Sequence, residues 1–157
     1  MASTATMAIA ILIGILTGFS PDHATDDKLR QEIYTLAQNV YYESRGESRQ
    51  GQHAVAWVTI NRTRDGRWPT TITEVVWQAK QFSWTRHKSR RQIALRNEID
   101  TQAWRDAVTV AYEAYFGHVE DPTGGATHFF AQNIVSPAWA RSYSHRTRIG
   151  NHTFLRK

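Results

Sequence analysis

Val40-Tyr41-Tyr42-Glu43-Ser44-Arg45-Gly46-Glu47 is the stretch on which the reading of this chain turns. Upstream of it Leu29, Ile33, Leu36 and Val40 recur at steps of four, three and four, the apolar stripe of an amphipathic helix. The next step of three lands on Glu43, so a carboxylate takes a position where the pattern asks for a core residue. Gly46 follows and is expected to end the helix in the left-handed conformation. Glu43 is thereby placed in the last turn, on the inward face. Both placements raise a carboxyl pKa: burial disfavours the charged form, and the negative end of a helix disfavours a further negative charge. A carboxyl group that keeps its proton near neutrality is what a general acid needs. Arg45 would oppose the shift if it folded back onto Glu43. A buried glutamate held by a backbone amide or an arginine is the competing reading.

The chain has 157 residues, of which 41% are hydrophobic and 21% charged. That describes one globular domain with a real core and excludes a disordered chain. There is no cysteine, which excludes disulfides and thiolate metal sites. All 19 basic residues and 11 of the 14 acids lie in 28–157, so that part carries +8. Such a body favours anionic polymers, whether wall, lipid headgroups or nucleic acid.

Residues 1–20 are uncharged and long enough to cross a bilayer core, at about 1.5 Å per helical residue. Eleven of the twenty are Ala, Thr, Ser or Gly, and no basic residue precedes the run. A marginal membrane helix fits the length best. A cleaved signal peptide and a soluble core helix are the alternatives. Residues 21–27 read as a linker, and 28–157 as the functional domain. A second helix is expected over 50–62, apolar nearly all round and therefore central. Thr73 is expected to cap a short helix ending at Trp77. A third long helix is expected over 101–116, capped by Asp100 or Thr101 and stopped by Gly117. Residues 126–131 and 147–155 read as strands, the latter broken at Gly150-Asn151.

Several blocks together carry a resemblance. Tyr42-Glu43-Ser44-Arg45-Gly46-Glu47, Gly51-Gln52, Val55-Ala56, Asn61-Arg62, Val75-Val76, Gln81-Phe82-Ser83-Trp84, Gly125-Ala126-Thr127-His128, Pro137-Ala138-Trp139-Ala140 and Ile149-Gly150-Asn151-His152 with Phe154 occur in order. The chain over about 32–156 resembles the SleB/CwlJ-type cell wall hydrolases, known from spore-cortex lysis. The resemblance implies an α+β, mainly helical, lysozyme-like catalytic domain with a small antiparallel sheet. It implies cleavage of the MurNAc–GlcNAc bond of peptidoglycan in the manner of a lytic transglycosylase, with the glutamate at Glu43 as the acid. One departure is visible: the family often reads Gly-Ala-Thr-His-aromatic-His, and Phe130 stands here in place of the last His. With the N-terminal run as a signal-anchor, the chain looks like a phage endolysin, tethered to the host inner membrane and then released into the periplasm. Secretion after signal cleavage and a bacterial remodelling enzyme are the other settings.

Glycosidases usually need two carboxyl groups. Glu47, Asp65, Glu74, Glu98 and Asp100 are weaker candidates for the second, whereas a lytic transglycosylase works with one. Sugar binding needs flat apolar faces beside hydrogen-bonding groups. Gln81, Phe82, Ser83 and Trp84 offer both, and Tyr42, Thr127 and His128 are further candidates. Core packing competes for each; Trp84, in a polar loop, is the strongest of them. No His pair has the spacing of three or four expected of a helical metal site, so neither metal nor cofactor is expected. An amidase and a basic wall-binding module carried by 88–96 are the alternative functions. Nothing resembles a nucleic-acid motif, and a monomer is expected.

Overall fold

In the computed structural model, residues 24–132 and 137–157 are described. Helix α1 spans Ala24–Ser44, α2 Arg49–Arg64, α3 Ile72–Trp77 and α4 Glu98–Tyr115. Strands β1 (His128–Ala131), β2 (His145–Ile149) and β3 (His152–Arg156) follow. The architecture is thus mainly helical with a small antiparallel sheet, as expected. The expected membrane run, 1–20, lies outside the described residues. Among the described residues no helix is long and apolar enough to cross a membrane. Residues 24–27 are the first turn of α1 and not linker; an acid such as Asp27 suits the positive end of a helix.

The stripe of α1 is buried as its period requires: Ile33, Leu36 and Val40 are wholly inaccessible. They pack with Trp104, Val108 and Ala111 of α4 and with Ala56, Trp57 and Ile60 of α2. Each such aliphatic side chain contributes about 1.5–3 kcal/mol by leaving water. Helix α2 has a second buried face. Ala54, Val55 and Val58 pack on Ala126, Ile149 and Phe154 of the sheet side. It therefore stands between the helical core and the sheet, which explains why apolar residues cover it nearly all round.

The helix ends correct several expectations. Gly46 is not among the glycines with positive φ; α1 ends instead in a turn, Glu47 N–H donating to Ser44 C=O at 2.9 Å. Thr71, not Thr73, caps α3, accepting from Glu74 N–H and donating to its carboxylate. Thr73 is taken up by Glu32 of α1, whose carboxylate also accepts from the amides of Ile72 and Thr73. An acid at a helix N-terminus satisfies free N–H groups and the dipole together. Asn97, and not Asp100 or Thr101, caps α4, with its Oδ1 2.8 Å from the Asp100 amide. Gly117, at φ 70, does end α4: His118 N–H donates to Glu113 C=O at 2.8 Å.

The sheet runs β1-β3-β2, all antiparallel. Phe154 of β3 faces Phe129 on one side and Thr147 on the other. The break between β2 and β3 falls at Gly150-Asn151 as expected, with Gly150 at φ 55. A Cβ there would also collide with the Glu47 carboxylate. Glu47 accepts from Asn151 N–H at 3.2 Å and Asn151 Nδ2 at 3.0 Å. The turn after α1 is thereby tied to the tip of the β2–β3 hairpin.

Candidate active site

Glu43 stands in the last turn of α1, partly buried. Among the described residues no hydrogen bond ties down its carboxyl group. Burial pushes its pKa up to about 7, against the opposing pull of the Arg62 and Arg90 guanidiniums. Arg45, which could have opposed the shift, turns away and donates to the Tyr41 hydroxyl at 2.9 Å. A group poised near 7 can give a proton and take one back in the same cycle.

The cation facing Glu43 is built in. Arg62 lies on the buried side of α2, 6% exposed. Its Nε donates to the Thr127 carbonyl at 2.8 Å, and its guanidinium lies over the rings of Phe82 and Trp68. Among the described residues its buried Nη1 has no hydrogen-bond partner. Burial lowers its pKa to about 10 while Glu43 and Tyr143 raise it, so it stays charged at neutral pH. Sequence reasoning gave Arg62 no role. The signal was present, since Arg62 continues the buried stripe Val55-Val58 by a step of four, as Glu43 continues that of α1.

His128 sits at the start of β1, its Nε2 3.0 Å from the Tyr143 hydroxyl and its Nδ1 3.1 Å from Thr127 Oγ1. Its ring is surrounded by Trp68, Trp139 and Tyr143. Burial, then Arg62 and Arg67, lower its pKa to about 4. His128 is therefore a neutral hydrogen-bonding group at working pH. Thr127 is buried and serves as framework, its amide on Leu155 C=O and its own carbonyl on Arg62. Phe130, the departure from the family pattern, packs edge-on against Trp139 at 6.1 Å.

The segment Gln81-Phe82-Ser83-Trp84 divides differently from expectation. Trp84 is 1% exposed, with its Nε1 donating to Asn39 Oδ1 at 2.9 Å. It is core and offers no open face to a sugar. Phe82 is likewise buried and carries the Arg62 guanidinium. Ser83 is exposed at the start of a 3-10 turn, and Gln81 is half-buried. The physical reason is geometric: a 3-10 segment has no long apolar period, so its buried side could not be read from spacing. Tyr42, half-buried, stacks on Trp84 at 4.8 Å. Trp84 thus supports from beneath the ring that adjoins Glu43 in the chain.

Four of the five candidates for a second carboxylate have other partners, and the fifth is exposed. Glu47 is held by Asn151; burial opposes, but those bonds and His152 leave its pKa lowered. Asp65 pairs with Arg67 at 2.7 Å, Glu74 with Thr71, and Asp100 accepts from Tyr41. Glu98 is exposed in the first turn of α4. Among the described residues Glu43 alone combines burial, a raised pKa and an unengaged carboxyl group.

Residues 46–155 match the family described as Cell Wall Hydrolase. The chain is 28% identical over 129 residues to the spore cortex-lytic enzyme of Oceanobacillus iheyensis, covering 81% of this chain and 42% of that protein. It is 31% identical over 128 residues to the spore cortex-lytic enzyme of Bacillus cereus, covering 81% and 45%. The chain thus spans under half the length of these curated relatives. Among solved structures, the catalytic domain of the germination-specific lytic transglycosylase SleB from Bacillus anthracis superposes with a TM-score of 0.60 at 28% identity, covering 88% of this chain and all of that one. The family match begins three residues after Glu43, so the role of that residue rests on its geometry.

Proposed function

Because the chain belongs to the cell wall hydrolase family, we propose that it degrades peptidoglycan, cleaving the MurNAc–GlcNAc bond as a lytic transglycosylase. The observation that carries this is the unengaged carboxyl group of Glu43, which burial pushes up to about 7. Protonated Glu43 gives its proton to the glycosidic oxygen. The bond from that oxygen to C1 of MurNAc breaks, and GlcNAc leaves with a free 4-hydroxyl. The Glu43 carboxylate then takes the proton of the same MurNAc's 6-hydroxyl, whose oxygen closes on C1. The product is a 1,6-anhydro sugar, no water is consumed, and the acid is regenerated. Arg62 and Arg90 favour the carboxylate that forms midway, and a fixed cation costs no reorganisation at that moment. Tyr42 is the aromatic surface next to the acid, and His128 with Tyr143 the neutral hydrogen-bonding group. Neither metal nor cofactor takes part.

The same reading makes 28–157 the catalytic unit, a lysozyme-like monomer, and 1–20 a signal-anchor in the inner membrane of a host lysed by a phage. The test of the chemistry is mass spectrometry of digested peptidoglycan. Anhydromuropeptides are expected from the wild type, and Glu43→Gln should lower their release by about 10²–10⁴. Reducing-end muramic acid would mean hydrolysis, and new free N-terminal alanine on the stem peptide would mean an amidase.

A further inference from the structure

A groove of about 620 Å³ opens beside Tyr42, between the end of α1 and the irregular segment that leads into α4. Its walls include Arg45, His87, Arg90, Arg96 and Asp100. Three arginines therefore share it with one carboxylate. Asp100 is already engaged by the Tyr41 hydroxyl at 3.3 Å and stands 3.7 Å from Arg45. It also accepts from the Arg96 backbone amide at 3.3 Å. Among the described residues Arg90 and Arg96 make no ion pair, and Arg90 lies 5.6 Å from the Tyr42 ring. The groove thus holds two unneutralised guanidiniums. It starts one residue from the acid.

Beyond the pull of Arg90 on Glu43, nothing in the glycosidic step needs this. A glycan backbone is neutral, and sugars are met by aromatic faces and hydrogen-bonding groups. Guanidiniums match carboxylates, whose planar pair of oxygens accepts two parallel N–H bonds. In peptidoglycan the carboxylates sit on the branch of each MurNAc, along the stem peptide that an amide joins to its lactyl group. A stem of four residues reaches about 13 Å when extended, enough to run from a sugar at Glu43 along the groove.

We propose that the groove lined by Arg45, Arg90 and Arg96 binds the carboxylates of the stem peptide on the MurNAc at the cleavage site. This rests on the glycosidase reading and adds to it that the substrate is peptide-bearing glycan, in preference to glycan stripped of its stems. Arg96 is the residue to probe. It is exposed and lies farther along the chain from Glu43 than Arg45 does, whereas Arg90 acts on the acid itself.

The test measures binding by the full chain carrying Glu43→Gln, so that no turnover intervenes. Three forms of one purified glycan fragment are titrated calorimetrically: with intact stems, with stem carboxylates converted to amides, and with stems removed by an amidase, which leaves the lactyl carboxylate. Intact stems are expected to bind about tenfold tighter than either other form. Adding Arg96→Gln should cut that advantage to about twofold or less. Arg148→Gln, an exposed arginine of β2 outside the groove, removes the same charge and should leave the advantage unchanged. Equal binding of the three forms overturns the proposal. So does equal binding of intact and stripped glycan, which would assign the groove to the lactyl carboxylate. A preference that survives Arg96→Gln, or falls equally with Arg148→Gln, overturns it as well. Failure of the glycosidase reading shows elsewhere, as wild-type enzyme that yields no anhydro product, and leaves these binding ratios as they are.

Discussion

Glu43 works against the fold that holds it. Its pKa is about 7 in the folded chain against 4.5 for the ordinary group, so the folded state binds the proton more tightly. Between those two values the unfolded state has lost the proton and the folded state keeps it. Stability must therefore fall as pH rises through this window, by up to about 3 kcal/mol. Glu43→Gln removes this contribution to the pH dependence. We expect urea denaturation to find the variant more stable than wild type at pH 8 and nearly equal to it at pH 4.5. An unchanged difference across that range would mean that Glu43 titrates normally. Arg62 sets the position of the same equilibrium from the other side. Arg62→Met removes a charge that lowers the Glu43 pKa, so the descending limb of residual activity should move to higher pH. A pH–rate profile reads that shift, which mere loss of the Thr127 anchor would not produce. Glu43 was legible in the sequence because a helix repeats, and one carboxylate on an apolar stripe stands out. Arg62 was equally visible in principle, on a stripe of its own. Arg90 had no such signal, since it belongs to a segment without a period.

Among the elements, the stretch from 78 to 97 shows where legibility stops. Helices α1, α2 and α4 could be placed to within a few residues from their apolar periods, and Gly117 marked its stop. The short turns at Ser83–Arg86 and Lys88–Arg90 have no such period, and composition alone made them a polar loop. Yet Trp84 is one of the largest fully buried side chains, tied to Asn39 of α1 and carrying Tyr42 on its face. Trp84→Ala should cost about 3–5 kcal/mol in chemical denaturation, the range for a core tryptophan. A cost below about 1 kcal/mol would return it to the surface. Caps misled for a related reason. Thr71 and Thr73 are equally good cap residues by type, and only the carboxylate of Glu32, forty residues away, decides between them.

For the whole molecule, the charge carried by 28–157 is compatible with a wall coat of anionic groups, and it weakens with salt as exposed charges do. The uncharged run at 1–20 holds few residues that favour the bilayer strongly, so its insertion is expected to be marginal. We expect the full-length chain, followed by an antibody to its C-terminus, to move from membrane to periplasmic fraction when an uncoupler collapses the potential. A shortened product would show signal cleavage. Protein found in the cytoplasm at all times would assign the run to a core or accessory helix.

The order β1-β3-β2 has a consequence in time. Ribosomes make chains from the N-terminus, so the central strand of the sheet is the last of the three to emerge. Until Leu155 is out, the Thr127 amide lacks its partner, and the carbonyl that receives Arg62 is on a loose strand. A nascent chain thus carries Glu43 for more than a hundred residues of elongation before the surroundings that tune it exist. Chains released before residue 152 would leave β1 and β2 as two bare edges with nothing between them, the kind of surface that aggregates. Assembly of the acid's setting waits on completion of the sheet.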